Sequence, residues 1–122
     1  MSKTIAETLA DFIHDATYEN LPKEVIHQAK RCLMDTCGAI IAGSFHSKSG
    51  KVAQSYAKTL EEPQTATIIG TTLMRSPQTA AFANGIAAHA LELDDGSRHA
   101  TYHPGSSIVP ASLAICEAEG KT

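Results

Sequence analysis

The chain has 122 residues, a formal net charge of −3, 43% hydrophobic and 19% charged residues, 5% aromatics and no Trp. That is enough for one domain with a modest core, built from alanine and small aliphatics. No basic run suits nucleic acid, no apolar run nears the ~18 residues a membrane span needs, and no signal peptide is visible, so a cytoplasmic protein is expected.

Thr4-Ile-Ala-Glu7 reads as a capping box. It opens a helix whose stripe is Ile5, Leu9, Phe12, Ile13 and Ala16. Asn20 and Pro22 interrupt the pattern, and Pro22 suits the first turn of a second helix. That helix has Val25, Ala29, Cys32, Leu33, Thr36, Cys37 and Ile40 on one side. Its second half, Cys37 to Ala42, has no polar face and is expected to be buried all round, with Gly43 as its stop. Phe45 to Gly50 reads as a loop, Val52 to Leu60 as a weaker helix, and Thr65 to Gly70 as a short β-like run. Ser76-Pro77 is an N-cap and first-turn pair for an Ala-rich helix to about Leu91, expected to be the most buried element. A last helix over about Ser107 to Glu119 tolerates Pro110 only near its start and ends at Gly120. The sum is an all-α, bundle-like domain over residues 1–122. Cys32, Cys37 and Cys116 fall in apolar helical patterns and read as reduced, buried thiols.

His89 to Ser107 gathers three histidines, three carboxylates, an arginine and several hydroxyls between two apolar helices. Rigid helices flanking a reactive loop are a good support for acid-base groups. Glu92, Asp94 and Asp95 follow the C-terminal end of the Ala-rich helix, whose dipole opposes negative charge. The competing reading is that either Asp only caps the turn around Gly96. His103 precedes Pro-Gly-Ser106-Ser107 at the start of the last helix, where free amides and hydroxyls favour a carboxylate. There the competing reading is a plain serine N-cap. Asp94, Asp95, His99 and His103 offer a divalent-metal alternative, weakened because Pro104 disfavours helix at His103. A hydrolase lacks its Gly-x-Ser-x-Gly elbow or phosphate loop. His14, His27 and His46 read as solvated.

His-Ala-Leu-Glu-Leu-Asp-Asp, then His103-Pro-Gly-Ser-Ser-Ile-Val-Pro-Ala-Ser-Leu-Ala, resembles the signature of the MmgE/PrpD family. Ile5 to Ile13, Asp35 to Gly43 and Ala80 to Ala90 are similar to its N-terminal region. The resemblance implies a lyase acting on a small di- or tricarboxylate such as 2-methylcitrate or cis-aconitate, by acid-base chemistry without metal or other cofactor. His103 matches the family's active-site histidine, and Glu92, Asp94 and Asp95 match its acidic residues. Ser106 and Ser107 are expected to hold a substrate carboxylate, with Ser97 and Arg98 as further binding groups. Gly96 stands where many members have Thr, and the stretch from Asp95 to His103 is one residue longer than in cis-aconitate decarboxylases. The resemblance further implies homo-oligomers, and active-site lysines and another histidine beyond position 122. The chain is therefore read as the N-terminal part of such an enzyme, truncated relative to the family and incomplete alone. The alternative is a non-catalytic helical remnant or a subunit of a split enzyme, acting by association with a chain that supplies the rest.

Overall fold

The structure is a computed structural model that describes residues 3–99 and 101–121. It divides into two compact units, residues 1–30 and 31–122.

In the first unit, α1 (Ile5–Asp15) starts at the expected capping box. The Thr4 amide donates to Glu7 Oε2 at 2.7 Å, and the Glu7 amide donates to Thr4 Oγ1 at 3.2 Å. These bonds satisfy donors that a helix start otherwise leaves open. The α1 stripe is uncovered: Ile5, Phe12 and Ile13 are each more than two-thirds exposed. A short 3₁₀ turn, Tyr18–Asn20, follows. Pro22 then immediately precedes α2 (Lys23–His46), accepting from the amides of Val25 and Ile26 through its carbonyl.

Three expectations about this stretch fail here. Gly43 does not stop the helix, which continues to His46, and Phe45 to Gly50 is not a loop. Only Ser47 separates α2 from α3 (Lys48–Lys58), and its hydroxyl caps α3 by accepting from the Gly50 amide at 2.8 Å. The glycines serve packing instead. A Cβ on Gly43 would stand 1.9 Å from the Ala87 carbonyl oxygen, and one on Gly50 would stand 2.5 Å from the Gly43 oxygen. Nor is the second half of α2 buried all round. Thr36, Ala39, Ile40, Gly43 and Ser44 are buried, whereas Gly38 and Ile41 are exposed, because neighbours cover one face only.

The β-like run forms a minimal hairpin, with β1 (Ala66–Thr67) antiparallel to β2 (Met74–Arg75). Buried Arg75 donates through Nε to the Ala57 carbonyl at 2.7 Å. It thus places a cation on the C-terminal carbonyls of α3, where the dipole favours one.

Ser76 and Pro77 open α4 (Pro77–His89) as expected. Ala80, Ala83, Asn84, Ala87 and Ala88 are buried along it. One core cluster joins Ala80 and Ala83 to Ala53 and Ala57 of α3, to Ala66 and Ile68, and to Ala114 of α5 (Gly105–Ala118). A second joins Ala87 and Ala88 to Ile40 of α2. α4 is the central element of this unit, and its alanines let three helices approach closely. Asn84 is the polar exception. Its Oδ1 accepts from the Ile69 amide and its Nδ2 donates to the Thr67 carbonyl, both at 2.9 Å. One buried side chain thereby pins the hairpin to α4, and both its polar ends are satisfied.

α5 starts two residues earlier than expected, so Pro110 falls in its second turn rather than its first. Proline there supplies no amide for the Ser106 carbonyl. That carbonyl lies over Gly85 of α4, 3.1 Å from where a Cβ would be. Gly120, at φ +62, ends α5; its amide reaches the Glu117 carbonyl and the Lys121 amide reaches the Cys116 carbonyl. This is the two-bond C-cap that a left-handed glycine permits. The buried-thiol expectation needs correcting: Cys116 is exposed, and Cys32 and Cys37 are half-buried, because the buried face of α2 runs through Thr36, Ala39 and Ile40 and that of α5 through Pro110 and Ala114. Burial still pushes the Cys37 thiol up. Among the described residues no helix is long and apolar enough to cross a membrane.

Candidate active site

α4 delivers His89 from its last turn, and the segment that follows folds back to place His103 against it. Two features close the segment. The Ser97 amide donates to the Tyr102 carbonyl at 2.9 Å, forming an isolated antiparallel bridge. Asp95 Oδ1 accepts from the Gly105 amide at 2.8 Å, tying the start of the segment to the first turn of α5. Gly105 has to be glycine, since a Cβ would meet Asp95 Oδ1 at 2.5 Å and Thr36 Oγ1 at 2.7 Å. Asp95 therefore caps α5 from across the loop, and not the turn around Gly96.

The fold assembles His89, Asp94 and His103 at the centre. The Asp94 side chain is fully buried. Its oxygens lie 3.2 and 3.1 Å from His89 Nδ1, and Oδ2 lies 3.5 Å from His103 Nδ1. The two rings meet edge-on, with centroids 4.8 Å apart. His103 Nδ1 is itself buried and makes no hydrogen bond. A buried carboxylate needs compensation, and here the His89 imidazole hydrogen-bonds it while the His103 ring stands beside it. In return it fixes the orientation of both rings, which decides which nitrogen faces outward. Glu92 completes the group, with Oε1 3.4 Å from His89 Nε2. Its backbone is held at φ +54, a conformation that costs a non-glycine residue about 1 kcal/mol or more.

A cavity of about 560 Å³ opens beside this group and is lined by His89, Ser106 and Ser107, with Phe82, Gly85 and Ile86 supplying apolar wall. The serines lie inside the first turn of α5. The Ser106 hydroxyl donates to the His103 carbonyl at 3.0 Å. The helix start has no side-chain cap of its own, and its Gly105 amide is taken by Asp95. Arg98 and His99 are exposed at the tip of the loop, with Ser97 in the bridge beneath them. Of the residues singled out in the sequence, Glu92, Asp94 and His103 come together around His89, Ser106 and Ser107 line a cavity that His89 also lines, and Asp95 is engaged in holding α5. His89 was not among them. It marks the end of a helix five residues before Asp94, and only the return of the chain shows that it faces His103. The metal-capable set also differs, with His89 in place of Asp95 and His99.

The chain is thus a predominantly helical domain with a histidine–aspartate–histidine group at a loop between two close-packed helices. The chain belongs to the MmgE/PrpD family: the MmgE/PrpD N-terminal domain matches residues 7–122. It is 35% identical over 123 aligned residues to the human cis-aconitate decarboxylase and 33% identical over 119 to the mouse enzyme, each alignment taking in 97% of this chain and 24% of the relative. It is 28% identical over 117 residues to a cis-aconitate decarboxylase-like protein of Aspergillus oryzae, with 96% of this chain and 24% of the relative covered. The chain thus spans about a quarter of the length of the curated relatives it matches.

Proposed function

We propose that this chain supplies the proton-transfer part of a lyase that acts on a small di- or tricarboxylate such as cis-aconitate or 2-methylcitrate. The observation that carries the reading is the fully buried Asp94 carboxylate set between His89 and His103 beside the Ser106–Ser107 cavity. His103 is the acid-base residue. Asp94 orients it, and Glu92 and His89 extend the proton path to the surface. In decarboxylation, CO₂ leaves and His103 delivers a proton to carbon; in dehydration, it removes a proton from carbon and passes it to the hydroxyl on the neighbouring carbon, which leaves as water. Both reactions build negative charge next to substrate carboxylates, so hydroxyls and amides aimed at those oxygens lower the barrier. Ser107, and Ser106 on turning from the His103 carbonyl, supply the hydroxyls, and Arg98 at the loop tip supplies a cation.

The chemistry is metal-free. The domain forms homo-oligomers through its uncovered apolar surface and is completed by groups outside these 122 residues, as the family resemblance implies. The relatives' name favours cis-aconitate as the first substrate to try. The test is CO₂ release from cis-aconitate, and loss of water from 2-methylcitrate, by an enzyme carrying this domain with the rest of the family fold. Turnover of either that survives EDTA is expected. Activity abolished by EDTA and restored by a divalent ion would overturn the metal-free reading, and turnover of neither acid would overturn the assignment of substrate class.

A further inference from the structure

We propose that His89, Asp94 and His103 form a site for one zinc-like divalent ion, and that the ion switches proton transfer off. The second clause rests on the function proposed above; the first does not.

The donors are of the right kind. Two imidazoles and a carboxylate are a common three-ligand set for zinc, with a fourth position left for solvent. They are also near the right spacing. Tetrahedral bonds of about 2.0–2.1 Å separate neighbouring donors by about 3.3–3.4 Å. His89 Nδ1 lies 3.1 Å and His103 Nδ1 3.5 Å from Asp94 Oδ2, and the three residues offer one donor atom each within 4.8 Å of one another. The His89 side chain is half exposed, which leaves its ring room to adjust to an ion.

Two further features point to a cation. His103 Nδ1 is buried, carries no hydrogen bond and is directed at a carboxylate that is itself sealed from solvent. Glu92 approaches the other nitrogen of the His89 ring, with Oε1 3.4 Å from Nε2. A carboxylate on the far nitrogen of a ligating histidine is the usual outer support of a metal-bound imidazole. An ion bound this way occupies the Nδ1 lone pairs and fixes both rings. It competes directly with protons for the group that the lyase reaction needs free.

The experiment is titration of the chelator-treated chain with Zn²⁺, and separately with Co²⁺ followed by its visible absorption. One ion per chain is expected, with an intense tetrahedral cobalt spectrum. His89→Gln and His103→Gln should each weaken binding by about 100-fold or more, beyond the usual loss for an outer partner. Asp94→Asn should do the same, but the two histidine variants decide the matter because their side chains are partly exposed and Gln keeps a neutral hydrogen-bonding group beside Asp94, with circular dichroism checking that each variant stays folded. Binding unchanged in both histidine variants, or an octahedral cobalt spectrum, overturns the site. Loss of binding leaves the lyase reading untouched, whereas an enzyme that binds Zn²⁺ here and retains full turnover overturns the switch alone.

Discussion

Gly38 and Gly43 lie five residues apart in the same helix, and replacing each with alanine should move stability in opposite directions. Alanine favours a helix interior over glycine by about 1 kcal/mol. At Gly38 nothing lies within 4 Å of the new methyl group, so that gain should appear in full. At Gly43 the methyl would sit 1.9 Å from the Ala87 oxygen and 2.8 Å from its carbonyl carbon. Those atoms are backbone and cannot rotate away, so α2 and α4 must separate by about 1 Å or more to restore van der Waals distance. Overpacking of this kind costs about 3 kcal/mol, which leaves Gly43→Ala destabilised by about 2 kcal/mol after the propensity gain. In thermal unfolding followed by circular dichroism, Gly38→Ala should melt about 3–5 °C higher and Gly43→Ala about 6–10 °C lower. A Gly43→Ala chain as stable as the parent would refute the close crossing of α2 and α4. The crossing also bears on the site, because Ala87 lies two residues before His89.

Asn84→Leu should leave the Thr67 carbonyl and the Ile69 amide without partners, costing about 2–4 kcal/mol in urea unfolding. Burial pushes the Glu62 carboxyl up, but hydrogen bonds from Thr79 and Ser76 and the charge of Arg75 outweigh it and leave Glu62 below its ordinary 4.5. A carboxyl lowered in the folded state stabilises above its unfolded value and loses that contribution as pH falls through the folded one. The parent should therefore lose more stability than Glu62→Gln on acidification below about 4.5, and equal losses would contradict this.

Local chemistry was readable from the sequence. The Thr4–Glu7 capping box, the Ser76-Pro77 start and the Gly120 stop each depend on bonds within one turn of the residue that signals them. The features that were not readable depend on partners distant in sequence. Gly43 looks like a helix stop until Ala87 is seen against it, and Gly50 looks like a loop glycine until the Gly43 oxygen is placed. Asn84 gives no sign of its role because the amide and carbonyl it meets are 15 and 17 residues away. The candidate site follows the same rule. Its carboxylates and His103 stood out by density of polar groups, whereas His89 ends an alanine-rich helix and joins them only when the loop returns. Asp95 shows the converse, since its cluster suggests chemistry and its hydrogen bond to Gly105 shows a cap.

The most direct test of the account is the rate of His103→Ala in an enzyme that carries this domain with the rest of the family fold, measured on cis-aconitate and 2-methylcitrate. A positioned proton-transfer group is worth roughly 10²–10⁴-fold, and a loss of that size in kcat with the fold intact is the expected result. A fully active His103→Ala enzyme would contradict the assignment of proton transfer to the histidine–aspartate–histidine group.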